Sequence, residues 1–271
     1  MISPTVSPDF SNLLSTIDAK NLLHRLNELQ SQKTNPTEHS INLEADASLK
    51  KLSLQWQYLA NNYLIHSAKK IIEPIKVCEF IQNSLTDLNL QNELSFEGIE
   101  QALTDWLINL FNHLFISKQV ILVRSTGEPE YFPAQSNQPA RIEFAHGFFA
   151  SALHELSHFC MAGERRRQLP DFGYWYAPDG RSAAQQQAFE RVEVKPQAIE
   201  CLFTLACGRP FQVSQDNLYA DFDTSGSTFA QDVYQQVKAY ITKPDTLPSD
   251  AKTLLQALLT ICAVSELKPT I

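Results

Sequence analysis

Ala150-Ser-Ala-Leu-His154-Glu155-Leu-Ser-His158-Phe-Cys160 is the stretch that organises the rest of the chain. Positions i and i+4 share one face of an α-helix, so His154 and His158 can hold one metal ion together. A second, apolar face is supplied by Phe149, Leu153, Leu156 and Phe159. Gly163 stands where the end of a helix favours a left-handed residue. Since two neutral imidazoles without a shared ligand are costly to bury in so apolar a segment, the stretch predicts a helix with a metal site.

Composition and charge exclude several classes of protein. The chain has 271 residues, 44% of them hydrophobic, and can bury a large core. Its formal net charge of −8 argues against general affinity for nucleic acid, because phosphate neutralisation needs a basic surface. No apolar run approaches the ~20 residues of a membrane span. The start Met1-Ile-Ser-Pro lacks the basic and apolar regions of a signal peptide, so we expect a cytoplasmic protein.

The cysteines do not form a recognisable framework. There are five of them, an odd number, and none form C-x-x-C. We therefore expect buried free thiols rather than disulfides or a zinc ribbon. The residues concerned are Cys78, Cys160, Cys201, Cys207 and Cys262.

Helical periodicity dominates the first third of the chain. Leucine and other apolar spacings predict helices over 9–30, 49–72 and 75–88. Ser95 is a good N-cap for a further amphipathic helix that runs to about Phe115. No chemical motif occurs before that helix. We therefore expect residues 1–94 to be a helical extension and residues 95–271 to be the domain that carries the metal site.

The character of the sequence changes after residue 118. Two short β-type runs, 120–123 and 141–145, are separated by Gly, Pro and Asn and lead into the His154 helix. A helix is then predicted from residue 182, with Pro196 kinking or restarting it and Gly208 ending it. Two more helices are predicted, over 233–241 and from Ser249 onward. The expected fold class is α+β with a small sheet.

Two histidines leave a divalent metal short of ligands, so a third must come from elsewhere. Candidates are the glutamates of the predicted 182–207 helix: Glu190, Glu193 and Glu200. Glu193 is favoured, because it precedes Pro196 on a helix long enough to pack against the motif helix, and Gln197 one turn later could support it. Glu190, one turn earlier, could be a supporting partner, and Glu200 has the weakest claim. Asp171, Asp179 and His146 are reserves.

Spacing alone leaves the chemistry open. If the metal is zinc, Glu155 would act as general base and the reaction would be hydrolysis. If it is ferrous iron, open positions remain for dioxygen and the reaction would be oxidation. H-E-x-x-H favours the zinc peptidase, yet the third histidine of the extended H-E-x-x-H-x-x-G-x-x-H pattern is missing. A binding module with a structural metal would instead need four protein ligands.

Four blocks of sequence, in order, carry a resemblance to a known family. They are 142–158 (IEFAHGFFASALHELSH), 171–181 (DFGYWYAPDGR), 192–198 (VEVKPQA) and 210–214 (PFQVS). Together they closely resemble the bacterial elongation factor P hydroxylases, from about residue 99 to the C-terminus.

The resemblance implies a zincin-like, iron-dependent enzyme that hydroxylates the lysine of elongation factor P after β-lysine has been attached to it. By position it makes His154 and His158 metal ligands and Glu193 the carboxylate ligand. Glu155, the catalytic candidate in a hydrolase, receives no settled role.

Substrate contacts are expected on two groups of residues. The aromatic segment contributes Tyr174 and Tyr176. Basic residues near the motif contribute Arg165, Arg166 and Arg181, with Arg191 and Lys195 from the ligand helix. On an acidic chain, such a basic rim would attract an acidic partner such as elongation factor P, although each arginine could equally cap a helix. We expect the protein to act as a monomer.

Overall fold

A computed structural model of the protein describes residues 7–31, 46–71, 95–174, 179–224 and 226–262. The helix predicted over 75–88, together with Cys78, Trp175 and Tyr176, lies outside these ranges.

The sheet has three strands and places the motif helix. The strands are β1 (Val120–Arg124), β2 (Glu130–Phe132) and β3 (Ala140–Phe144). β3 is central, parallel to β1 and antiparallel to β2, with Val120 opposite Ala140. The two predicted strands are confirmed. β2 was missed, because three residues are too few to display the alternation that identifies a strand.

Seven α-helices occur among the described residues, which confirms the α+β class. They are α1 (Thr16–Ser31), α2 (Ala47–Ile71), α3 (Phe96–Leu114), α4 (Phe149–Arg166), α5 (Ala183–Ala206), α6 (Phe229–Thr242) and α7 (Ser249–Cys262). The Ser95 cap is confirmed, since its hydroxyl accepts from Gly98 N at 3.1 Å. The predicted start of α1 is wrong: the helix begins only at Thr16, where the Ser15 hydroxyl accepts from Asp18 N.

The motif helix α4 follows β3 almost directly. A single turn at Ala145–Gly147 joins them, and His146 in that turn has a left-handed φ of 51°. Gly163 also has a positive φ of 65°, as predicted, although the helix continues to Arg166. The Phe159 ring of α4 lies edge-on to Phe111 and Phe115 of α3, with centroids 5.5 and 5.9 Å away. α4 therefore packs into the core next to α3.

Pro196 was predicted to kink or restart the helix, and the predicted restart is wrong. α5 runs without interruption from Ala183 to Ala206 with the proline inside it. Proline removes one helical hydrogen bond, a loss that packing can offset. Here α5 lies against α4, α6 and α7, and Pro196 itself is buried. Tertiary packing thus overrides the local preference for a break.

The N-terminal helices share the core of the rest of the protein. Trp106 Nε1 of α3 donates to Leu52 O of α2 at 2.8 Å, and its ring lies 4.4 Å from that of Trp56. Arg25 of α1 donates to the carbonyls of Ile241 and Thr242 at the end of α6. Leu22, Leu26 and Leu59 belong to the same cluster of buried side chains as α4. The predicted boundary at residue 94 falls outside the described ranges and stays a prediction.

The free thiols were predicted correctly where the structure describes them. Cys160, Cys201 and Cys207 are buried and unbonded to another sulfur, and Cys262 is half-buried. Burial raises the pKa of Cys160, and the nearby Asp250 raises it further. These sulfurs therefore behave as core side chains rather than nucleophiles.

Asp250 ties α7 to the end of α4. Its carboxylate accepts from Arg167 Nη2 at 2.5 Å and lies 3.1 Å from Lys118 Nζ. Arg167 also donates to the Phe159 carbonyl and lies 3.7 Å above the Phe159 ring. A nearly buried carboxylate thus joins two cations and two helices.

We expect Asp250→Ala to lower the free energy of unfolding by about 3–5 kcal/mol, because it leaves a buried cation without its partner. Urea denaturation measures the change. The control is Asp105→Ala, which breaks the ion pair with Arg124 at a carboxylate that is 59% exposed. That pair should contribute only about 0–1 kcal/mol. Equal losses in the two variants would show that Asp250 does not stabilise the core.

Candidate metal centre

Three potential ligand side chains converge between α4 and α5. The Nε2 atoms of His154 and His158 lie 3.1 Å apart. Glu193 Oε1 lies 3.4 Å from His158 Nε2, and Glu193 Oε2 lies 3.8 Å from His154 Nε2. Of the residues that the structure describes, these three form the group of His, Cys, Asp and Glu side chains suited to holding a metal. The structure therefore brings together the three residues that the sequence singled out.

The donor set fits a divalent cation. Ligand bonds of about 2.0–2.2 Å place neighbouring donors about 3–3.6 Å apart. The separations of 3.1 and 3.4 Å fall in that range, and the third, 3.8 Å, is slightly longer. The carboxylate is buried, with only 2% of its side chain exposed, and a buried charge needs a compensating charge. With three protein donors, positions remain for water or substrate, which favours a catalytic over a structural site.

His154 is oriented by a second carboxylate. Its Nδ1 donates to Glu200 Oε2 at 2.8 Å, so its Nε2 faces His158 and Glu193. A carboxylate on the far nitrogen fixes the tautomer and the ring plane of a metal-binding histidine. Sequence reasoning ranked Glu200 last as a direct ligand and did not consider this supporting role. The signal was available, since Glu193 and Glu200 are seven residues apart and share a helix face.

Nearby carboxylates also set the pKa of His154. Burial by itself lowers its pKa, but Glu200, Glu155 and Glu193 outweigh burial and raise the pKa to about 10. In the metal-free protein, His154 therefore carries a proton at neutral pH. That proton occupies the region where a cation would sit, between two imidazoles and a carboxylate.

Burial has the opposite effect on the pKa of Glu155. Burial raises the pKa of its carboxyl group, while the histidines His154 and His158 lower it and the carboxylates Glu193 and Glu200 raise it again. Glu155 is half-buried beside the first histidine. Burial therefore makes the Glu155 carboxyl group a weaker acid than an exposed glutamate, and the histidines offset part of that effect.

The rest of the α5 polar face holds a loop rather than the metal group. Both ends of the Gln197 amide bond with Ser214, Nε2 donating to the carbonyl at 2.8 Å and Oε1 accepting from the amide at 3.1 Å. Glu190 accepts from Gln186, Gln215 and Ser227. Neither residue has Glu193 as its hydrogen-bond partner. The expected support of Glu193 by Gln197 is therefore replaced by Glu200 acting on His154.

Two of the reserve ligands have structural roles. Asp171 accepts from Tyr131 N at 2.9 Å and so attaches β2 to the turn after α4. Asp179 accepts from Gly180 N and Tyr219 N. His146 lies in the turn before α4, with its ring 5.9 Å from that of Phe148. None of the three belongs to the metal-suited group formed by the described residues.

Four of the five basic residues expected on the rim are exposed: Arg165, Arg166, Arg191 and Lys195. Arg181 is buried, lies over the Phe189 ring and donates to Gln186 and the 215–216 backbone. Arg166 lies 4.0 Å above the Tyr174 ring and donates to the Phe172 carbonyl. The fold therefore uses the charge of Arg181 internally, and its contact with substrate stays a prediction. Arg165 is exposed, and Tyr176 lies outside the described residues.

The basic residues of α5 also point elsewhere. Arg191 and Lys195 are exposed, whereas Glu193 between them is buried. Residues two positions apart on a helix are separated by about 200° around its axis. These two side chains therefore lie on the outer face of α5, away from the metal group.

The fold and this site define an α+β protein with a candidate metal centre made of two histidines and one carboxylate. Comparison with known proteins is more specific. The sequence pattern of the family described as elongation factor P hydroxylase matches residues 110–270. The elongation factor P lysine hydroxylase of Haemophilus influenzae is 47% identical over 165 residues, which cover 59% of this chain and 89% of the relative. The chain therefore belongs to the elongation factor P hydroxylase family, as its motifs predicted, and hydroxylation is favoured over zinc-dependent hydrolysis.

The pKa of His154 predicts how metal binding depends on pH. A metal needs the neutral imidazole, so binding must release the proton that His154 carries below its pKa of about 10. Apparent affinity for Co²⁺ should then rise about tenfold per pH unit from pH 7 toward pH 9. Cobalt absorption titrations at several pH values measure this slope.

Glu200→Gln is the matched variant for that measurement. It removes the carboxylate that most raises the pKa of His154, so the rise in affinity should level off at a lower pH. The same pKa makes the His154 proton stabilise the metal-free fold fully below pH 6.5, with the contribution lost as pH rises through about 10. An affinity independent of pH in the native protein would contradict the protonated state.

Proposed function

We propose that this protein is an iron-dependent hydroxylase that adds one oxygen atom to the β-lysylated lysine of elongation factor P. The observation that carries the proposal is the convergence of His154, His158 and Glu193 into an open donor set. Membership of the hydroxylase family supplies the reaction class and the protein substrate.

Ferrous iron is the metal that this reaction requires. Two imidazoles and one carboxylate form the facial set typical of non-haem iron oxygenases, and iron held there would supply the activation of dioxygen that hydroxylation needs. His154 and His158 present their Nε2 atoms to this position, and Glu193 supplies the negative charge. Zinc with the same ligands would not supply redox chemistry, since it has no accessible second oxidation state.

One neighbouring carboxylate orients the ligand His154, and a second is the candidate catalytic group. Glu200 accepts the Nδ1 proton of His154 and so keeps its Nε2 lone pair directed at the metal position. Glu155 is the candidate catalytic residue, because its half-buried carboxyl group follows His154 directly and burial raises its pKa. In this role Glu155 donates or accepts a proton during hydroxylation and does not activate water for hydrolysis.

The proposal also covers the domains, the oligomeric state and the cellular location of the protein. The arrangement of a small sheet leading into an H-E-x-x-H helix supports a zincin-like domain over residues 95–271, with residues 1–94 as a helical extension. We propose a monomer that acts in the cytoplasm, where translation factors function. Across the described ranges, none of the helices combines the length and apolarity needed to span a bilayer.

The ligand assignment predicts the effect of two substitutions. His154→Ala and Glu193→Gln should each reduce bound iron from about one per chain to a small fraction, because each removes one of three donors. Metal analysis of protein purified with ferrous iron measures this. Glu190→Gln is the matched control on the same helix, since the partners of Glu190 among the described residues are Gln186, Gln215 and Ser227. Full iron retention in Glu193→Gln would transfer the carboxylate role to another residue.

The reaction predicts a mass change in the substrate. Elongation factor P incubated with the iron-loaded protein, dioxygen and a two-electron reductant should gain the mass of one oxygen atom on its modified lysine, with the second oxygen atom leaving as water and no peptide bond cut. Glu155→Gln should keep its iron and slow the reaction by about 10²–10⁴-fold, the usual contribution of a proton-transfer group. Intact-protein mass spectrometry follows both. A cleaved product without added oxygen would instead identify a zinc peptidase.

A further inference from the structure

The loop that follows α5 is fastened to the metal helix and exposes two apolar side chains. We define it as the 214–219 loop. We propose that Leu218 and Tyr219 on this loop form the docking surface for the protein substrate, next to the metal pocket. The proposal rests on the proposed function, since it takes elongation factor P as the partner.

Hydrogen bonds hold this loop against α5. Gln197, one turn after Glu193, bonds with both backbone groups of Ser214. Gln186, two turns before Glu193, donates to the Gln215 carbonyl at 2.9 Å. The loop backbone at residues 214 and 215 therefore lies beside the α5 face that carries Glu193.

The second half of the loop is fixed by the segment before α5. Asn217 accepts from the amides of Gly180 and Arg181 at 2.8 and 3.1 Å, and its Nδ2 donates to the Arg181 carbonyl. Tyr219 N donates to Asp179 Oδ1 at 3.2 Å. Polar contacts thus fix the backbone on both sides of Leu218.

The two side chains at the end of this fixed loop lie in solvent. Leu218 is 90% exposed and Tyr219 is 80% exposed. Neither contributes to the core, and the loop is held without them. Rigid presentation of an apolar pair with an aromatic ring is a feature of protein-binding surfaces, because little conformational entropy is lost on binding.

The position of the pair suits a protein substrate of the metal site. Leu218 is four residues from Ser214, so its Cα lies within about 14 Å of the Ser214 Cα. A modified lysine that projects from a folded protein must reach the metal while the surrounding surface rests on the rim. Leu218, which Tyr219 directly follows, is thus tied within that distance to Ser214, which bonds to Gln197 one turn after Glu193.

Charge supports the same partner. Residues 210–228 contain three aspartates and no lysine or arginine. Asp221 and Asp223 are exposed, and so is Asp179 beside Tyr219. A β-lysylated lysine carries positive charge, so an acidic rim attracts it and orients it toward the pocket. The segment of the substrate that bears the lysine is therefore the occupant that both the apolar pair and the charge favour.

The test is a double variant, Leu218→Ser with Tyr219→Ser, compared with Ile17→Ser. Ile17 is 72% exposed on α1 and lies outside the segment matched by the family, which makes it a control for the loss of an exposed apolar side chain. The dissociation constant for β-lysylated elongation factor P is measured by calorimetry, together with KM, kcat and iron content. In the double variant we expect the dissociation constant and KM to rise about tenfold or more, with kcat and iron content unchanged. Ile17→Ser should match the wild type.

A second arm tests the charge. Asp221→Asn should slow association with elongation factor P at low salt, and the difference should shrink as salt is raised. An association rate that is unchanged at low salt would overturn the electrostatic part of the proposal.

Three outcomes would overturn the docking surface itself. The first is an affinity in the double variant within about twofold of the wild type. The second is a wild-type protein with no measurable affinity for the factor. The third is a change in the molar mass in solution, measured by light scattering, with affinity for the factor unchanged, because that would assign the pair to self-association. If oxygen is added to the factor and the double variant behaves like the wild type, only the docking surface is wrong. If binding depends on Leu218 and Tyr219 but no oxygen is added, only the proposed reaction is wrong.

Discussion

A carboxylate almost completely withdrawn from solvent, that of Glu193, is the constraint on which this structure depends. Such a charge is stable only beside a compensating one, and the adjacent imidazoles of His154 and His158 meet it from α4. This requirement fixes the contact between α4 and α5. A second carboxylate, Glu200, accepts from the other nitrogen of His154 and raises the pKa of the imidazole. His154 can therefore supply the compensating positive charge. Four side chains on two helices therefore specify each other's positions before any metal arrives.

Periodicity made most of this site predictable. The four-residue spacing of His154 and His158 required a helix to bring them together, and the helix is present. The position of Glu193 followed from the length of the next helix. What the motif did not reveal was the polar stripe of α5 as a whole. Its members recur at alternating spacings of four and three residues and are Gln186, Glu190, Glu193, Gln197 and Glu200. Read as one face, the stripe shows that a ligand, its supporting carboxylate and the anchors of a loop belong to a single surface.

The features that sequence reasoning missed share a cause, because tertiary contacts outweigh local preference in each. Pro196 remains helical since packing on several sides offsets one lost hydrogen bond. β2 is recognisable only through its pairing with β3. Arg181 looked like a surface charge, yet the 214–219 loop folds over it and buries it. Composition and motif spacing carry no information on these long-range contacts.

The shared core of the N-terminal helices has a consequence for how the protein can be divided. The segment shared with the family begins at residue 110, inside α3, which starts at Phe96. A fragment cut at that point would lose Trp106 and Leu103, both of which are completely or almost completely buried. It would also leave a severed helix end beneath the motif helix. The length over which relatives can be recognised is therefore shorter than the length that folds, and a fragment designed from homology alone would lack part of its own interior.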